Sequence, residues 1–166
     1  MSAVSEQRGT TMRQFAVQKI AIVLFALVGL FDALYLSINR LTASHLACPT
    51  SGGCEAVQAS PHAVFFGVPV AFIGVAGYAA LLLLALLSLA NFSRGPLSAR
   101  AVLAVVATLG VLFSAYLVYL QLAVIHAICF WCMLSASMEL GIALLAWLDL
   151  RWSRYEPPPL DELAVG

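Results

Sequence analysis

Apolar positions in this chain come in long unbroken runs, with neither a helical stripe nor a strand-like alternation. A helix needs about 20 apolar residues to cross roughly 30 Å of hydrocarbon. Four runs reach that length: Ile20–Ile38, broken once by Asp32; Phe65–Ala90 and Ala101–Ile125, both uncharged; and Cys132–Leu150, which contains Glu139. Runs this continuous lack the polar alternation of barrel strands, so helices are the expected element. The pattern predicts an all-α membrane protein, a four-transmembrane-helix bundle with a sizeable outer loop, 40–64, between helices 1 and 2. Residues 1–19 form a polar N-terminal segment, 20–150 the membrane domain and 151–166 a short tail whose Pro157, Pro158 and Pro159 predict disorder. Residues 91–100, with Gly95 and Pro96, predict a tight turn between the second and third spans. Gly67, Ala71 and Gly74 fall on one face of the second run, where small residues let a neighbouring helix approach closely.

Composition agrees with this picture. The chain is 63% hydrophobic and 10% charged, with mean hydropathy +0.99. A soluble domain carries roughly 25% charged residues, so a water-facing globule is excluded. Eight basic and eight acidic residues cancel, which leaves no electrostatic basis for a nucleic-acid partner. Where the basic residues fall is more informative than their sum. Arg8, Arg13, Lys19, Arg94, Arg100, Arg151 and Arg154 would share one side of the membrane, leaving Arg40 on the other. The positive-inside rule then puts both termini in the cytoplasm and the 40–64 loop and the 126–128 turn outside. The polar start precedes a full-length span and does not look like a cleavable signal peptide.

All four cysteines then lie on the oxidising side. Cys48 and Cys54 belong to Cys-Pro-Thr-Ser-Gly-Gly-Cys in the outer loop, and Cys129 and Cys132 to Cys-Phe-Trp-Cys at the mouth of the last span. There they can serve as structural disulfides, soft-metal ligands or exchange centres. A Cys-x-x-Cys at a helix start is strained as a disulfide, and the positive end of the helix dipole favours its thiolate. Gly52 and Gly53 let the loop bend, and exchange needs that freedom because bonding sulfurs must meet at about 2 Å. The x5-then-x2 spacing is unusual for a four-cysteine zinc site, and no metal ligands are assigned. An outer-face soft-metal-binding or transport protein is the rival reading from another class.

A cysteine pair between spans one and two, followed by Cys-x-x-Cys at the head of span four, resembles the bacterial branch of the vitamin K epoxide reductase family. The matching residues are Ala47-Cys48-Pro49, Gly52-Gly53-Cys54, Ser60, Phe66-Gly67-Val68-Pro69, Phe113-Ser114-Ala115-Tyr116-Leu117 and Cys129-Phe130-Trp131-Cys132, within about residues 20–150. The DsbB family is similar in span count, but its Cys-x-x-Cys comes in the first outer loop. The resemblance implies a thiol–quinone oxidoreductase of the bacterial inner membrane, supporting disulfide bond formation. Its substrates would be a secreted thioredoxin-like, DsbA-type partner and a lipid quinone, ubiquinone or menaquinone. Carried over, Cys54 would meet the partner in a mixed disulfide, Cys48 would pass electrons to Cys129, and Cys132 would face the quinone. Ser60 matches a polar position beside the active site. Many bacterial members carry a fused thioredoxin-like domain after the last span; about fifteen residues follow here, so a separate partner is expected. The asparagine and tyrosine through which animal members contact vitamin K align with Ala63 and Ala136, which favours quinone over epoxide.

The energetics agree. A DsbA-type partner near −120 mV could pass electrons to a glutathione-like pool near −200 mV only uphill, by about 3.7 kcal/mol for two electrons. A lipid quinone of higher potential avoids that cost. Asp32 and Glu139 are candidate proton-relay groups, since an ionised acid at the bilayer centre costs roughly 2.5–3.5 kcal/mol and intramembrane acids are functional by default. Glu139 follows Cys132 by seven residues, about 10 Å along one helix face, with Ser135 between them. Phe65, Phe66, Phe113, Tyr116 and Trp131, with Ser60, are the candidate walls of a flat quinone pocket. His45, His62 and His126 are expected to be solvated loop residues.

Overall fold

The computed structural model describes the backbone of residues 2–42, 45–49, 53–89 and 99–153, with side chains from 17 to 151 within those segments. The 155–166 tail and most of the 91–100 turn lie outside them. Four long helices dominate: α1 (Ser2–Thr42), α3 (Val70–Leu89), α4 (Ala99–Tyr119) and α5 (Phe130–Ser153). The segments apolar enough to cross a membrane are Val17–Thr42, Val70–Leu89, Ala99–Ile125 and Phe130–Arg151. The expected four-helix membrane bundle is therefore present.

Contacts between α1 and α3, α3 and α4, α4 and α5, and α5 and α1 set the helices around a ring in the order α1–α3–α4–α5. Its core is small-residue packing: Ala26 and Ala33 from α1, Ala85 from α3, Ala104 and Ala107 from α4, and Ala143 and Ala146 from α5, with Ile22, Leu81 and Ile142 filling between them. In lipid no hydrophobic force draws helices together, so such residues act by admitting close backbone approach. Gly74 meets α1 in this way, where an added Cβ would lie 3.4 Å from the Ala33 Cβ. Large side chains such as Phe31, Leu83, Leu112 and Leu144 instead point outward, as a lipid-facing surface requires. At the end of the bundle away from the cysteines, the Lys19 ammonium donates to the Ser88 carbonyl at 3.2 Å and Arg100 pairs with Asp149 at 3.6 Å.

The cysteine-bearing end is less regular. Helix α2 (Gly53–Ala59) lies across it, followed by a 3-10 turn at Pro61–Ala63 and a two-stranded hairpin, β1 (Val64–Phe65) and β2 (Val68–Pro69). Val64 pairs with Pro69 and Phe65 with Val68. Phe66 and Gly67 make the two-residue turn with φ of 50° and 83°, the doubly positive pattern that matches strand twist in tight hairpins. This corrects the expected second span: residues 65–69 belong to the hairpin, Gly67 does not share a helix face with Gly74, and the helix begins only after Pro69. Beyond α4 the chain continues as a π-helical stretch, Leu120–Ile125, ended by His126 in the left-handed conformation.

Candidate functional site

Gly53 opens α2 at a point where only glycine fits. A Cβ there would lie 2.3 Å from the Ile128 carbonyl oxygen, so the start of α2 presses directly on the strand of chain leading into Cys129. That approach carries Cys54 against Cys129; both are fully buried, in one cluster with Val57. Cys48 is bonded to Cys54 across a Cα–Cα distance of 6.0 Å and lies at the half-buried edge of the cluster. Isolated seven-residue helices are not stable in water, so tertiary contacts must hold α2 in place. Arg40 at the end of α1 donates to the Gln58 carbonyl, and His45 meets Glu55 at 3.0 Å.

Cys129 and Cys132 are free thiols. Cys129 stands immediately before α5, and the Cys132 backbone N–H donates to its sulfur at 3.4 Å. The Cys132 thiol, and after it the backbone N–H groups of Cys132 and Trp131, hold the Cys129 thiol below its ordinary pKa, against a burial penalty acting in the opposite direction. The backbone N–H groups are the part of this that a helix start supplies, and the neighbouring thiol outweighs it. The two sulfurs of the motif face different surroundings. Cys129 belongs to the sealed cluster with Cys54, whereas Cys132 lines a cavity of about 350 Å³ between the helices.

Of the residues expected around a quinone, Ser60 and Phe113 line that cavity. The other expected wall residues do not. Trp131 turns away, donating its indole N–H to the Ala47 carbonyl at 2.8 Å and packing its ring 5.1 Å from Tyr35. Phe65 stays behind Phe113, edge-on at 5.6 Å. Phe66 projects from the hairpin turn at 93% exposure, and Tyr116 is exposed on the outer face of α4. An aromatic suits a lipid-facing or interfacial position as well as a pocket, so composition alone could not separate these cases.

Glu139 lines the cavity, and Asp32 is buried beside it within electrostatic reach of both Cys129 and Cys132. Neither Asp32 carboxyl oxygen has a hydrogen-bond partner among the described residues. Between the two acids stand Tyr78 and Ser135, both on the cavity wall. The Tyr78 hydroxyl donates to the Ser135 carbonyl at 2.6 Å and lies 3.0 Å from the Ser135 hydroxyl. Room for the Tyr78 ring comes from Gly29, where a Cβ would fall 2.1 Å from the ring. Tyr78 and Gln121 were missed by sequence reasoning. Gln121 is the only side-chain amide in span three, and the argument that singled out Asp32 and Glu139 applies to it equally.

Among the described residues no group of three or more His, Cys, Asp or Glu side chains is placed to hold a metal ion. Cys48 and Cys54, being bonded to each other, offer no thiolate ligands in this state. The wall chemistry fits a flat, largely apolar ligand with a few polar atoms, as a quinone head group is: branched and aromatic side chains from α3 and α4, with Gln121, Ser135, Tyr78 and Glu139 at intervals.

Comparison with known proteins gives two findings. The Vitamin K epoxide reductase family matches residues 20–147, most of the chain. A thiol-disulfide oxidoreductase of Arabidopsis thaliana, LTO1, is 32% identical over 131 residues, which cover 74% of this chain and 34% of the relative. The chain thus spans about a third of the length of that curated relative.

Proposed function

The chain belongs to the vitamin K epoxide reductase family, and we propose that it draws electron pairs from a separate thioredoxin-like dithiol protein of DsbA type and delivers them to a lipid quinone, ubiquinone or menaquinone. Membership and the paired cysteines class it as a multi-pass membrane disulfide oxidoreductase with quinone-linked chemistry. In this reading the cysteine-bearing end faces the outside of a bacterial inner membrane, with both termini in the cytoplasm, in keeping with the seven basic residues on the opposite side.

One observation carries the electron route: the four sulfurs are arranged in series. Cys48 is half-buried, Cys54 and Cys129 share one sealed cluster, and Cys132 opens onto the cavity. The order inferred from the resemblance, with Cys54 meeting the partner, is reversed on this account. A protein thiolate cannot reach a fully buried sulfur without displacing α2, whereas Cys48 lies at the edge. The partner thiolate attacks Cys48, breaking the Cys48–Cys54 bond and releasing the Cys54 thiolate. The partner's second thiol then displaces Cys48 and leaves as a disulfide. Cys54 next attacks Cys129 of an oxidised Cys129–Cys132 pair, releasing Cys132. Cys48 then displaces Cys129, restoring the Cys48–Cys54 bond and leaving Cys129 and Cys132 reduced. Reforming the Cys129–Cys132 bond sends two electrons and two protons to the quinone, whose reduction to the quinol closes the cycle. The pattern of one bridge and two thiols described here is the state immediately before that last step. Asp32 and Glu139, with the hydroxyls of Tyr78 and Ser135 between them, serve proton movement between the thiols and the cavity. Ser60, its hydroxyl donating to the Val57 carbonyl at 2.7 Å, finishes the end of α2 at the cavity wall.

Trapping tests the order. With Cys48 as the entry point, Cys54→Ser accumulates a mixed disulfide between the partner and Cys48, while Cys48→Ser accumulates little. Accumulation in Cys48→Ser alone would restore the opposite order.

A further inference from the structure

The turn entering the Cys-x-x-Cys motif is organised by one side chain. Gln121 sits within the π-helical stretch Leu120–Ile125, a backbone geometry frequent at functional sites, and is 3% exposed. Its main-chain carbonyl accepts from the backbone N–H groups of His126 and Ala127, and its side-chain Oε1 accepts from the Cys129 backbone N–H at 2.8 Å.

That last bond fixes which way the amide points. A backbone N–H can only donate, so the atom facing Cys129 must be the oxygen, and the NH₂ group is forced to the other side. No partner engages Nε2 among the described residues, yet it keeps accessible surface despite the burial of the residue. Gln121 lines the same cavity as Cys132, so its free N–H groups open into that cavity. Two other hydroxyls on the cavity wall are committed elsewhere, that of Ser60 to the Val57 carbonyl and that of Tyr78 to the Ser135 carbonyl.

We propose that the Gln121 amide is the hydrogen-bond donor to a quinone carbonyl, aimed by the backbone of the very cysteine pair that reduces it. This rests on the quinone reading above and assigns a substrate-contacting residue to it. As the Cys129–Cys132 bond forms, the two thiols lose two electrons and two protons. The quinone gains both as its carbonyls become hydroxyls, and negative charge grows on the carbonyl oxygen on the way. A preorganised N–H aimed at that oxygen, in a largely apolar cavity, stabilises the developing charge.

The test compares two oxidants on the full chain in lipid bilayers containing ubiquinone or menaquinone. Gln121→Met keeps length and volume but removes both polar atoms. Its kcat/KM for quinone should fall on the order of 10²-fold, while glutathione disulfide, which is attacked by the outer thiolates and so withdraws electrons through Cys48 and Cys54 without any carbonyl to be stabilised, should reoxidise Cys129 and Cys132 at the wild-type rate. Gln121→Glu, ionised in alkaline buffer, keeps an acceptor for the Cys129 N–H and so preserves the turn. It should show the same selective loss. Equal loss with both oxidants would make Gln121 a mere support of Cys129, and no loss with either would remove it from the site; each result overturns the proposal. A wild-type chain that bleaches neither quinone would instead refute the quinone reading itself.

Discussion

Cys48 and Cys54 are carried by a connecting segment and a seven-residue helix, whereas Cys129 and Cys132 stand at the head of a 24-residue helix running the depth of the bundle. The first pair is held down by separate polar contacts: Arg40 to Gln58, Trp131 to Ala47 and the exposed His45–Glu55 pair. The two bonds to backbone carbonyls contribute about 1 kcal/mol each, and the solvated His45–Glu55 pair adds little to them. The second pair is continuous with a core in which α5 packs against both α1 and α4. The proposed sulfur relay would use both settings, with one pair moving between an outside partner and an inside acceptor and the other staying fixed beside the cavity.

The largest expected effect comes from the fixed pair. Cys132→Ser should abolish quinone reduction, measured as loss of quinone absorbance, while the Cys48–Cys54 bridge still forms. Next comes the docking point between the pairs. Gly53→Val places side-chain atoms against the Ile128 carbonyl, which is backbone and cannot swing aside. Dithiol-driven turnover should fall more than about tenfold, a loss of at least 1.4 kcal/mol in docking, while a chemically reduced Cys129–Cys132 pair still bleaches quinone normally. Loss of both activities in Gly53→Val would mean that the pairs do not work as separable units.

A smaller effect concerns the thiolate at the helix start. Cys129 is held below the ordinary thiol value, about 8.5, first by the Cys132 thiol. Alkylation by a small reagent proceeds through the thiolate, so its rate rises with pH through the Cys129 pKa. In Cys132→Ala the largest lowering contact is gone, and the midpoint should move to higher pH. An unmoved midpoint would leave the backbone N–H groups as the main cause. The smallest effect is expected from Trp131→Phe, which removes one N–H bond to Ala47 and leaves most of the ring. About 1 kcal/mol of docking, roughly fivefold in dithiol-driven rate, should be lost.

The sequence was legible wherever one property was sufficient. Length and apolarity located four spans, because hydrocarbon thickness alone sets that requirement. The same property misplaced the start of the second span, since Val64, Phe65, Phe66 and Val68 are as apolar as the helix they precede. Pro69 was the available sign that a helix could only begin there. The cysteines were legible as two unlike pairs from spacing. The burial that separates Cys48 from Cys54 was not, because it depends on how α2 docks, and that is decided by the absence of a side chain at Gly53. That Phe66, Tyr116 and Trp131 stand outside the cavity was not legible, because rings serve lipid, interface and cavity equally well. Gln121 was within reach of sequence reasoning, since a lone amide inside an apolar span calls for the same explanation as a lone acid.

On the proposed route, electrons pass through all four sulfurs before reaching the quinone. The most direct measurement mixes the oxidised full chain, in quinone-free bilayers without oxygen, with a reduced thioredoxin-like dithiol, and then adds quinone while thiols are counted by mass spectrometry. Cys129 and Cys132 should become thiols before quinone is added. They should then reform their bridge as one quinone is reduced per pair. Quinone reduction with Cys129 and Cys132 still bridged, or undiminished in Cys129→Ser, would contradict it.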